Sequence, residues 1–81
     1  MREEICSRVC RAVASVLNLD PSQVNQGSSM DTIPQWDSLA HLKLVLLLEE
    51  EFGLTFQMRD TVRMRSIEKI CQIIEEINVR T

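Results

Sequence analysis

The sequence has 81 residues, 44% of them hydrophobic, and its 12 acidic and 9 basic side chains give a net charge of −3. This suits one small globular domain over residues 1–81 and argues against a disordered chain. With few bases, and with Trp36, Phe52 and Phe56 as its aromatics, the chain lacks the surface of a nucleic-acid binder, and its longest apolar run, Leu44 to Leu48, falls far short of the roughly 20 residues of a membrane span.

The opening residues, MREEICSRVCR, carry neither the apolar core nor the cleavage site of a secretory signal, so a cytoplasmic protein is expected. Residues 3–17 are predicted as a first helix. Ile5, Val9, Ala12, Val13 and Val16 recur at spacings of three and four, forming one apolar stripe. Glu3 and Glu4 lie in the first turn, where the helix dipole favours acids. Asn18, Asp20 and Pro21 stop the helix. Residues 18–37 form a long connection in which Leu19, Val24, Met30, Ile33 and Trp36 are spaced as anchors onto the core. Loops this long are usually functional or disordered, and the anchors favour an ordered one.

Residues 38–52, SLAHLKLVLLLEEEF, are predicted as the second helix, with Asp37 as N-cap and Gly53 as C-terminal stop. Leu42, Val45, Leu46 and Leu48 are assigned to its inward face, and Leu44 and Leu47 widen that surface. Residues 57–63 form a short helical turn. Ser66 then caps a last helix, SIEKICQIIEEINV, whose Ile67, Ile70, Cys71, Ile74 and Ile77 follow the amphipathic template. Three main helices plus one short helix give an all-α, small four-helix bundle with a long first loop.

Cys6, Cys10 and Cys71 are odd in number, which argues against a closed disulfide framework. Cys6 and Cys10 with Cys71 and His41 make one conceivable metal set, but no Cys-x-x-Cys pair supports it. Buried apolar thiols are the expectation, with no metal. Intrinsic catalysis is not expected either. Ser38 and His41 share a helix at i, i+3 without a third orienting group. Ser38 is more informative by its position. It begins a helix after a long loop, where unpaired N–H groups and the dipole favour an attached phosphate.

The run Asp37-Ser38-Leu39 resembles the attachment motif of the acyl and peptidyl carrier protein family. Around it, WDSLAHLKLVLLLEEEFGLTF is similar to that family's second helix, and the order of elements resembles the family over nearly the whole chain. The resemblance implies that Ser38 carries 4'-phosphopantetheine, placed there from coenzyme A by a phosphopantetheinyl transferase. It also implies that the protein holds acyl groups as thioesters and serves an acyl- or aminoacyl-loading enzyme and a downstream synthase or transferase. It implies no catalysis by the carrier. Lys43, Leu44, Glu49 and Glu50 on the second helix, with Arg59 and Arg63 beyond it, are the implied partner-binding residues. Leu42, Leu46 and Ile67 are candidates to line an acyl pocket. The chain departs from fatty-acid carriers where Ala40 and Lys43 stand in place of acids, and Arg59, Arg63 and Arg65 make the third segment basic. These departures, with Trp36, favour a specialised pathway. An aminoacyl or peptidyl carrier, and a helical adaptor with unmodified Ser38, are the alternatives. Met1 and the lack of flanking linkers suggest a free-standing carrier.

Overall fold

The apolar stripe of residues 5–16 needs a surface to cover it, and the last helix supplies one. The computed structural model describes residues 2–80, in four α-helices: α1 (Arg2–Leu17), α2 (Ser38–Phe52), α3 (Met58–Arg63) and α4 (Ile67–Arg80). α1 packs on both α2 and α4, and α3 closes against α4. Ile5, Val9, Ala12, Val13 and Leu17 of α1 are buried, as are Ile67, Ile70, Cys71, Ile73, Ile74 and Ile77 of α4. Each fully buried branched side chain contributes about 1.5–3 kcal/mol of transfer free energy, so this seam dominates the core.

α1 ends at Asn18, whose left-handed backbone (φ 58°) lets the Leu19 N–H reach the Ala14 carbonyl at 2.9 Å. The connection that follows is ordered. Asp20 caps a 3₁₀ turn at Pro21–Gln23, accepting from the Ser22 N–H at 2.9 Å. That backbone bond, and then the Ser22 hydroxyl, hold the Asp20 carboxyl below the usual carboxylate range. The cap is therefore fully engaged above the ordinary carboxylate pKa and released as pH falls through the lowered value.

Further on, the Met30 N–H donates to the Arg65 carbonyl at 2.9 Å and the Ile67 N–H donates to the Ser28 carbonyl at 3.0 Å. These bonds form an isolated antiparallel bridge, Ser29 to Ser66, between the loop and the entrance to α4. Val24 and Trp36 are buried, and Leu19, Met30 and Ile33 pack against the core as anchors.

α2 runs from the Asp37 cap to Gly53, where φ is +65° and the amide donates to the Glu49 carbonyl. Glycine takes this left-handed conformation at no steric cost. The inward face differs from the expected one. Leu44, Val45 and Leu48 are buried, whereas Leu42 and Leu46 are each 58% exposed. Leu44, Val45 and Leu48 lie at i, i+1 and i+4, and Leu46 is two residues from Leu44, about 200° around the helix. One helix cannot bury both sets against a single neighbour.

The three cysteines form no disulfide. Cys6 and Cys71 are buried, and burial, then the neighbouring Cys6, push the Cys10 thiol up. Among the described residues no group of three or more His, Cys, Asp or Glu is placed to hold a metal ion, and none of the described helices is long and apolar enough to cross a membrane.

The two faces of α2 are separable by substitution. Leu48→Ala is expected to cost about 2–5 kcal/mol, as for a fully buried leucine. Leu46→Ala is expected to stay within about 0.5 kcal/mol. Urea unfolding of the two variants reads the difference.

Candidate functional site

The start of α2 is built by the three residues before it. Trp36 is buried, 2% exposed, and fixes the chain on the core. Asp37, extended at φ −98°, accepts from the Ala40 N–H at 2.9 Å through its carboxylate and from the His41 N–H at 2.8 Å through its carbonyl. Ser38 is the first residue of α2 and is exposed. Its hydroxyl therefore projects from a rigid helix end, beside first-turn N–H groups that no helical carbonyl satisfies. Next to it Leu39 is 62% exposed. An exposed hydroxyl at a capped helix start, with room around it, fits a phosphodiester-linked arm. The N–H dipoles there favour the phosphate's charge.

Leu39, Leu42 and Leu46 follow at i, i+3 and i+7 on the solvent side of α2, all more than half exposed. Lys43 and Glu50 are exposed along the same helix. On α3, Met58 is 82% and Val62 68% exposed, and Arg59 is exposed beside them in sequence. Arg63 pairs with Glu76 at 3.4 Å, both side chains being about half exposed, a contact worth at most about 1 kcal/mol.

Several assigned roles change. Leu44 is 1% exposed, because it points at the core between α2 and its neighbours, so it has no surface to offer a partner. Glu49 is half-buried and accepts from the Phe56 N–H at 2.8 Å, which fastens the α2–α3 hinge back onto α2. Leu42 and Leu46 are more than half exposed, while Ile67 is wholly inaccessible in the core. A cavity of about 230 Å³ does open between α1 and α2, lined by Arg8, Arg11, Ala12, Ser15, Leu47 and Glu51. Glu51 lies 13 residues past Ser38, about 20 Å along the helix. At that end Arg8 stacks over Phe52 at 4.2 Å and donates to the Glu51 carbonyl at 2.7 Å.

Sequence reasoning also missed a bridge beside Ser38. The Trp36 indole donates to His41 at 3.1 Å, and His41 reaches the Thr61 carbonyl of α3 at 2.9 Å. The five-residue spacing of Trp36 and His41 gave no signal, because it spans the cap, where helical periodicity does not apply.

A capped, exposed serine opening one helix of an all-α bundle has room for a covalently attached arm. Residues 7–74 match the family described as Phosphopantetheine attachment site. The chain belongs to that family, whose covalent prosthetic group is 4'-phosphopantetheine. It is 29% identical over 73 residues to an acyl carrier protein of Thermosynechococcus vestitus, covering 90% of each chain. It is 28% identical over 75 residues to an acyl carrier protein of Rubrobacter xylanophilus, covering 93% of each. Acyl carrier protein 4, chloroplastic, of Cuphea lanceolata is 31% identical over 77 residues, 94% of this chain and 55% of that protein. The chain thus spans most of two of these relatives and about half of the third.

Asp37→Ala removes the cap acceptor and is expected to destabilise the protein by about 1 kcal/mol. Exchange of the Ala40 amide should quicken beyond that of α4 amides, as measured by hydrogen–deuterium exchange.

Proposed function

We propose that this chain is a cytoplasmic acyl carrier of a specialised biosynthetic pathway, with Ser38 as the sole attachment point of 4'-phosphopantetheine. The observation that carries the reading is the exposed Ser38 hydroxyl at the first position of α2, behind the Asp37 cap and within the matched segment. Acyl rather than aminoacyl cargo is supported by relatives that are named acyl carrier proteins.

A phosphopantetheinyl transferase presents coenzyme A, and the Ser38 Oγ attacks the pyrophosphate, loses its proton and becomes an oxygen of the new phosphodiester. The nucleotide 3',5'-bisphosphate half of coenzyme A leaves. The bound group supplies a terminal thiol that carries acyl chains as thioesters. What this chain contributes is placement. Asp37 and Trp36 hold the helix start still, so that Ser38 projects from a fixed point, and the first-turn N–H groups face the phosphate position. Ser28 and Ser29 lie in the same connection, but Ser28 is buried and Ser29 pairs with Thr32 and Ser66.

Incubation with coenzyme A and a transferase is expected to add one phosphopantetheine to the wild type and none to Ser38→Ala, read by intact mass. The same gain in the variant would overturn the assignment.

The exposed faces of α2 and α3 support a docking surface made of Leu39, Leu42, Leu46, Met58 and Val62, with Lys43, Glu50 and Arg59 as its charges. Lys43 stands where fatty-acid carriers have an acid, which supports service to a dedicated pathway enzyme. Ala40 packs partly against the core, so Lys43 is the cleaner position to test. Lys43→Glu is expected to raise turnover with a fatty-acid ketosynthase about two- to fivefold at low salt, in line with one exposed charge contact. Raising the ionic strength should shrink the gain. Equal turnover of wild type and variant at every salt concentration counts against charge selection at Lys43.

A further inference from the structure

The Ser38 end of α2 is held at one point that neither capping nor core packing accounts for. Trp36 Nε1 lies 3.1 Å from His41 Nδ1, and His41 Nε2 lies 2.9 Å from the Thr61 carbonyl oxygen. The partners fix the proton. An indole N–H only donates, so Nδ1 accepts, and a carbonyl oxygen only accepts, so Nε2 carries the hydrogen. In this pairing His41 accepts at Nδ1 and donates from Nε2, roles assigned from its partners. The ring centroids of Trp36 and His41 stand 6.2 Å apart and tilted by 34°, so the contact is a directed hydrogen bond and not a stack.

The third member of the bridge is the element in most need of it. α3 has six residues, too few to persist as an isolated helix. Four of its side chains, Met58, Arg59, Val62 and Arg63, are exposed, and Met58 and Val62 are the most exposed large apolar residues among the described ones. Its inward holds are the buried Asp60, which accepts from the Gln57 N–H at 3.1 Å, and Met64 just beyond it, 0% exposed. Both belong to α3 and its flanks. The His41 bond is a side-chain tie from α2 to the α3 backbone, and it lands on Thr61, the residue before Val62. It also starts one turn after Ser38. The His41 bond thus joins the Glu49–Phe56 hinge contact and the Arg63–Glu76 pair in setting where α3 stands, and of the three it lies nearest in sequence to Ser38.

We propose that His41 is a positioning residue that fixes α3 against the Ser38 end of α2, and so sets the docking face to which both helices contribute. The docking part rests on the Ser38 reading above. The brace itself does not.

Hydrogen–deuterium exchange followed by NMR on the unmodified chain decides the brace. In His41→Leu, which keeps bulk but neither nitrogen, protection of the α3 amides is expected to fall about tenfold, while α1 and α4 keep theirs. The indole N–H resonance, unambiguous because Trp36 is the single tryptophan, should move upfield and exchange faster. His41→Gln, which retains an acceptor and a donor, should recover part of both signals. Should His41→Leu fail to fold, Trp36→Phe keeps an aromatic ring, deletes the N–H and is expected to loosen α3 in the same way. Exchange in α3 at wild-type rates, or an equal loss across all four helices, overturns the brace.

With a transferase and coenzyme A, His41→Leu should raise KM for the carrier about three- to tenfold with kcat little changed, the scale of one hydrogen bond lost from the docking-competent state. An unchanged KM in a variant whose α3 has loosened overturns the docking part. A wild-type chain that takes up no phosphopantetheine overturns the Ser38 reading, and the exchange result still decides the brace.

Discussion

The burial of α4 is the constraint from which the rest of the molecule follows. Ile67, Ile70, Cys71, Ile73 and Ile74 are wholly inaccessible, and they are too many to lie on one narrow stripe. The helix must therefore be covered from several directions by a chain with little length to spare. α1 covers one side and α3 another. The long connection covers the entrance, tied there by the Ser28 and Met30 backbone bonds to residues 67 and 65. α2 then leans on α1 and spends only one of its faces doing so. An outward face of leucines remains as a consequence of how the core is filled.

That arrangement explains why the loop is ordered and why its order matters to Ser38. A helix start is only as fixed as the residues that lead into it. Here the approach is pinned in succession by the Asp20 cap, the bridge at Ser29 and Ser66, and the buried Trp36. Asp37 then captures the Ala40 and His41 amides, and the helix is committed from its first residue. Ser38 thus follows a run of chain tied to the core at each of these points. In a carrier all reach then has to come from the arm, and the protein contributes a fixed origin for it.

Much of this was legible in the sequence. Local signals carried the helices: the Asp37 and Ser66 caps, the Gly53 stop and the stripes of α1 and α4 all act within a turn of chain. α2 was misread because it is leucine-rich on two faces. With leucine at 39, 42, 44, 46, 47 and 48, hydrophobicity alone does not say which stripe is inside, and the neighbour that settles it, α1, is remote in sequence. The Glu49 contact was hidden for a related reason. A run of three acids looks like a solvated face, yet the first acid turns back to the Phe56 amide once the hinge has folded. The His41 bridge depends on a backbone carbonyl of α3, and a carbonyl has no residue identity to read.

The exposed leucines bear on how such a protein meets its partners. Single apolar side chains on a surface are ordinary. Leu39, Leu42 and Leu46 form a line that starts beside Ser38, and contiguous apolar surface marks a contact face. A carrier has to release each enzyme after its turn, which limits how much apolar area it can commit. Three leucines on one helix, joined by Met58 and Val62 on a short one, make a small patch of that kind. Charges around such a patch affect approach and exclusion more than holding strength. Lys43 stands between Leu42 and Leu46 in a molecule that is otherwise net acidic, and like-charge contact penalises the wrong enzyme more than opposite charge rewards the right one. If this face is the docking surface proposed above, the leucines would give every partner a hold, and selection among partners would fall to the few charges placed between them.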